Sequence, residues 1–198
     1  MKLKMIDNAI DLLKLVNECF HDYNTNKKHK KDNIDLELTI IYLHKSIELL
    51  LESILINENE SLIYENLPPN KLDEYKKIRN HPNIILLLDE FLIKREGIKT
   101  IDYTKLITIY CDTFNADKKT QRVLSDLGKL RNSAIHFGID NSDNFNVVLI
   151  TIYETINIIL DILYENLKKI DDCFKSYDIR DILKPLVEDF NNIFAPIQ

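Results

Sequence analysis

Apolar residues recur at steps of three and four along most of this chain, the spacing that turns one face of a helix toward a core. Ile6, Ile10, Leu13, Val16 and Phe20 make such a stripe and predict a first helix over about residues 6–23. Ile40, Leu43, Ile47, Leu50 and Ile54 make a second, over about 34–57. His44, Glu48 and Glu52 form a polar row beside it. An imidazole one turn from a carboxylate reads first as a surface pair and second as an acid–base pair. Residues 57–82 are the least regular part, broken at Pro68-Pro69, with a short helix over about 71–78. Arg79-Asn80-His81 is followed by Pro82, which disfavours helical geometry at His81 and makes that histidine structural.

Further helices are predicted over about 83–96, ending at Gly97, and over 103–114, capped by Asp102 or Thr104. Leu106, Ile109, Tyr110 and Phe114 form the apolar face of the latter. A helix over 117–137 buries Val123, Leu127, Leu130, Ala134 and Phe137. Lys118, Arg122, Ser125, Lys129, Asn132 and His136 lie along a neighbouring stripe, read either as an exposed face or as a track for a phosphate backbone. Gly128 sits inside this helix, where glycine costs about 1 kcal/mol relative to alanine. Close approach of another helix, a ligand or a second chain explains it. Asn141-Ser142-Asp143 makes a turn before a helix over 144–169 that is apolar nearly all round, as a buried or shared helix is. A last helix covers 177–194, with Pro185 as a kink or break.

Three glycines and five prolines in 198 residues leave little turn chemistry for a sheet protein. The expected fold is therefore all-α, a single helical bundle of long up-and-down helices occupying 1–198 as one domain. No internal repeat is visible. The net charge of −6 argues against indiscriminate nucleic-acid binding, so any RNA contact needs a local basic patch. Lys27-Lys28-His29-Lys30-Lys31 reads as a solvated connector, with a foothold for RNA phosphates as the alternative. Cys19, Cys111 and Cys173 show neither a disulfide framework nor metal-ligand spacing, which fits reduced thiols in a cytoplasmic protein. No apolar leader opens the chain. The apolar stretch 147–163 is interrupted by Glu154, Asn157 and Asp161 and reads as a buried helix rather than a membrane span.

The chemistry gathers at Leu130-Arg131-Asn132-Ser133-Ala134-Ile135-His136-Phe137-Gly138. Gly138 is a stop signal, because glycine enters the left-handed region at no steric cost. Asn132 and His136 are one turn apart and share a face. His136 falls in the last turn, where the negative end of the helix attracts a cation. An arginine, an amide and an imidazole at one helix end suit an anionic substrate such as phosphate.

Arg-Asn-x-x-x-His followed by Phe-Gly, a polar loop and a long apolar helix resembles the Arg-x(4–6)-His motif of the HEPN superfamily. The resemblance covers about residues 33–170, with flanking helices at either end. It implies an all-helical, metal-independent endoribonuclease without a cofactor. It also implies a homodimer in which two motif helices build one composite cleft, and a toxin or defence role with an antitoxin or regulatory partner. On that resemblance Arg131, Asn132 and His136 are the catalytic candidates, and the polar stripe leading to them makes Lys118, Arg122, Ser125 and Lys129 the RNA-binding ones. Gly138 stands where one branch of the family has a modified tyrosine, so regulation by that modification is not implied here. The alternatives are a HEPN-like module that binds RNA, nucleotide or protein without cleaving, and a plain helical dimerisation protein.

Overall fold

The computed structural model describes residues 2–25, 34–65, 100–139, 145–168 and 179–194. Over these the chain is helical: α1 (Lys2–Thr25), α2 (Ile34–Asn59), α3 (Tyr103–Phe114), α4 (Lys118–His136), α5 (Phe145–Ile158), α6 (Tyr164–Lys168) and α7 (Ile179–Phe194). Among the described residues the only β pairing is an isolated antiparallel bridge between Tyr64 and Thr100. The all-α expectation therefore holds, and the predicted helices at 34–57, 103–114 and 117–137 meet observed ones within two residues of each end. The expected helices at 71–78 and 83–96, the Lys27–Lys31 loop, Arg79-Asn80-His81, the 141–143 turn and Cys173 lie outside the described residues.

Local chemistry sets the helix ends. Asp102 caps α3 by accepting from the Lys105 amide at 2.9 Å, and Asp117 caps α4 by accepting from the Thr120 amide at 2.7 Å. Asn115, at φ 52°, closes α3 in the left-handed region. Gly138, at φ 72°, takes the chain out of α4. A neighbour holds this exit: Glu37 of α2 accepts from the Ile139 amide at 2.9 Å, and its Oε1 stands 3.1 Å from where a Cβ on Gly138 would lie.

The core gathers around α2, whose Leu36, Ile40, Leu43, Ile47, Leu50, Leu51, Ile54 and Leu55 are buried. Each such side chain contributes on the order of 1.5–3 kcal/mol by leaving water. On α1, Ile6, Ile10, Leu13, Val16 and Phe20 are buried as expected, and α1 packs most extensively on α2. Ser46 donates to the Ala9 carbonyl at 2.9 Å, and both residues are fully buried, so small side chains set the spacing there. Asn17 donates to the Ile182 carbonyl and Asn24 to the Asp189 carboxylate. The offset of 165 residues is the same in both bonds, so α1 and α7 run parallel. Pro185 lies within α7 without breaking it, and Leu183, Leu186 and Phe190 face the core beside it.

The apolar helix expected at 144–169 is α5 continued through a π-helical stretch, Ile159–Leu163, into α6. Phe145–Lys168 is long and apolar enough to cross a membrane. Val148, Leu149, Ile152, Ile156, Ile159, Leu163 and Leu167 are nevertheless buried in the chain's own core. Thr151 and Thr155 satisfy their hydroxyls on the carbonyls of Val147 and Thr151. Asn166 donates to the Tyr110 hydroxyl at 3.1 Å. Burial pushes the Tyr110 phenol up to about 12 against the lowering effect of that bond.

Candidate functional site

Helices α2, α3 and α4 enclose an open cleft of about 390 Å³. Its walls are His44 and Glu48 from α2, Tyr103, Thr104 and Ile107 from α3, and Ser125, Gly128, Lys129, Arg131 and Asn132 from α4. Glu37 near the end of α4, and His44 and Glu48 near its middle, show that α2 and α4 run antiparallel along the cleft.

On the α4 side the guanidinium of Arg131 donates from Nη1 to the Asn132 carbonyl oxygen at 3.0 Å. That bond leaves the Asn132 amide nitrogen to donate outward. Arg131 pairs with no carboxylate among the described residues, whereas Lys129 is held by Asp126 at 2.6 Å and Lys119 by Glu154 at 3.2 Å. A half-buried cation without a counter-ion favours an anion beside it. The helix adds to this field: Lys118, Lys119, Arg122, Lys129 and Arg131 face Asp126 as its only acid.

On the α2 side His44 is only 7% exposed, and its ring lies against that of Tyr103 with centroids 4.0 Å apart. Burial lowers the imidazole to about 4, helped by the Arg131 and Lys45 charges and opposed by Glu48, so the ring is neutral at pH 7. Tyr103 is half-buried, but its hydroxyl is closed off from solvent without a hydrogen-bond partner among the described residues. Burial, and then the Glu48 carboxylate, push that phenol above its usual range. Glu48 itself pairs with Lys45 at 2.8 Å. One turn on, burial and then Glu48 raise Glu52 to about 7.

The structure divides the polar stripe of the motif helix. Ser125, Lys129, Arg131 and Asn132 line the cleft; Lys118 and Arg122 are exposed nearer the start of α4 and do not. His136 ends α4 one turn beyond Asn132, exposed and outside the cleft walls, and Asn132 bonds Arg131 rather than His136. Phe137 corrects the expected buried stripe, since it is 89% exposed. As the C-cap it leaves helical geometry, its amide donating to the Ser133 carbonyl at 2.9 Å, so helical periodicity no longer directs its side chain.

The expected surface pair of His44 with Glu48 is also corrected, because Tyr103 covers the imidazole and burial makes it neutral. Sequence reasoning missed the α3 wall altogether. The signal that points to it is Gly128, where an added Cβ would stand 3.1 Å from two Tyr103 ring carbons. The close approach inferred from that glycine thus comes from the chain's own α3. No protein-family model matches this chain, and no curated protein or solved structure matches it either.

Proposed function

We propose that the chain is a metal-independent endoribonuclease of the HEPN type, a cytoplasmic toxin or defence effector built as a single up-and-down helical bundle. The observation that carries the reading is Arg131, a guanidinium on a cleft wall with no carboxylate partner among the described residues. Asn132 stands beside it, and a solvent-accessible His136 lies one turn on. RNA supplies its own nucleophile, so cleavage requires only a base for the 2′-hydroxyl, an acid for the leaving 5′-oxygen and a cation for the phosphorane. Arg131 is the cation, offering two parallel hydrogen bonds to the phosphoryl oxygens. Asn132 donates a further bond from its free amide. His136 exchanges the proton.

The exposed position of His136 suits a composite site between two copies. Ile135 and Phe137 on the α4 end, and Val147 and Ile150 on the first turns of α5, are exposed apolar side chains. Apolar surface of this kind marks an interaction face.

The test is purified protein with mixed RNA in EDTA. Wild type should leave 2′,3′-cyclic phosphate ends, and RNA with a 2′-deoxy substitution at the cleaved nucleotide should resist. His136→Ala and Arg131→Ala should each lower the rate about 10²–10⁴-fold with the fold intact. Arg131→Lys should not restore it, because an ammonium lacks the bidentate fork. Equal cleavage by wild type and His136→Ala would sink the assignment of His136. A second reading, an RNA- or protein-binding module without cleavage, is favoured by the position of His136 outside the cleft that holds Arg131. Tight RNA binding with no cleavage by wild type would select it.

A further inference from the structure

The Arg131-to-His136 motif leaves one imidazole of the cleft unused. His44 is buried at the middle of α2, yet its ring nitrogens make no hydrogen bond among the described residues, and the ring lines the cleft that Arg131 lines from α4. These nitrogens are not closed off from solvent as the Tyr103 hydroxyl is, so on the cleft wall their bonding capacity is open to a ligand. The ring is held in place from one side by Tyr103, which is itself wedged against Gly128. The result is a fixed imidazole, a guanidinium and an amide around one open volume, all from a single chain.

We infer that His44 is a second proton-transfer group of this cleft, acting in the same chain as Arg131; the inference rests on the ribonuclease reading above. His44 takes the proton of the ribose 2′-hydroxyl as the bond from O2′ to phosphorus forms. The bond from phosphorus to O5′ then breaks, and O5′ takes its proton from His136. Arg131 holds the non-bridging oxygens throughout. His44 ends with one proton more and His136 with one fewer, and exchange with water restores both. The products are a 2′,3′-cyclic phosphate and a 5′-hydroxyl.

The charged and titratable groups facing His44 are Glu48 and Lys45 on α2, Tyr103 on α3 and Arg131 on α4. Desolvation dominates among them and keeps the free ring neutral, which a base must be. A bound phosphodiester offsets the Arg131 charge and raises the ring's proton affinity at the moment of transfer. This arrangement removes the difficulty of one histidine serving as both acid and base.

Three measurements on the whole 198-residue chain test it. His44→Gln should lose about 10²–10⁴-fold in kcat while binding a non-cleavable 2′-deoxy oligonucleotide as wild type does, read by fluorescence anisotropy. His44→Ala, checked for folding by circular dichroism, should regain cleavage with added imidazole, the gain following the free-base form. On the unmutated protein, kcat/KM should hold down to about pH 5 and fall near 4, where the ring protonates. Wild-type cleavage by His44→Gln would overturn the inference and leave the ribonuclease reading standing. An acidic limb near the ordinary histidine value of about 6.5, or loss in His44→Ala that imidazole does not restore, would overturn it likewise. A wild-type protein that cleaves no RNA would overturn both.

Discussion

Gly128 concentrates the residue-scale argument. In an exposed helix, replacing glycine by alanine gains about 1 kcal/mol. Here the new Cβ would stand 3.1 Å from both Cδ1 and Cε1 of Tyr103, tighter than ordinary contact, and the ring is backed by His44. The steric term opposes the propensity term, and for a larger side chain it wins. Gly128→Leu should therefore cost about 1–3 kcal/mol in urea unfolding and close the cleft. Tyr103→Ala should relieve most of that cost in the double mutant. A Gly128→Ala protein stabilised by the full 1 kcal/mol would show that the ring yields freely and does not shape the cleft. Because Gly128 answers to Tyr103, its substitution tests the cleft of one chain and not the contact between two.

At the scale of an element, α2 carries two titrating groups with opposite effects on stability. Glu52, pushed to about 7 by burial and then by Glu48, keeps its proton in the folded chain after the unfolded chain has released it at the ordinary 4.5. Stability from this group is complete below about 4.5 and is lost as pH rises to about 7. His44, lowered to about 4 by burial and then by Arg131 and Lys45 against Glu48, lacks a proton that the unfolded chain binds below 6.5. Its contribution is complete above 6.5 and is lost as pH falls to about 4. The two slopes oppose each other across the overlap, so wild-type stability should be flattest between about pH 4.5 and 6.5. In Glu52→Gln only the His44 slope remains, and stability should climb through that window by up to about 1.4 kcal/mol per pH unit. Urea unfolding at half-unit steps measures this. Parallel curves for the two proteins would remove Glu52 from the account.

At the scale of the whole molecule, exposed apolar side chains bear on association. Phe137 is 89% exposed on the exit from α4, and Ile135, Val147 and Ile150 are exposed as well. These side chains contribute little to the chain's own core and much to any face that covers them. Light scattering at micromolar concentration should therefore give the mass of a dimer. Phe137→Asp should shift it to the monomer mass with the thermal midpoint of the monomer fold nearly unchanged. A wild-type monomer at that concentration would rule out the composite cleft, and an unchanged Phe137→Asp dimer would move the interface elsewhere.

Over the described residues the sequence by itself determined where the helices lie, because the causes are local. The stripe of Ile40, Leu43, Ile47, Leu50 and Ile54 repeats every turn, and Asp102, Asp117 and Gly138 cap their helices through bonds and dihedrals a few residues away. It also brought Arg131, Asn132 and His136 to one helix end. Only the tertiary structure decided which of them share a cleft. Periodicity reports that a face is covered and says nothing of what covers it. Burial of His44 depends on Tyr103, far along the chain and on another helix, and this contact turns a polar row into a neutral imidazole on a cleft wall. The exposure of Phe137 depends on the chain leaving α4 at that residue, under the hold of Glu37 on Ile139. Burial and charge at a site are sums over every neighbouring helix, so the site became legible once α2, α3 and α4 were packed together.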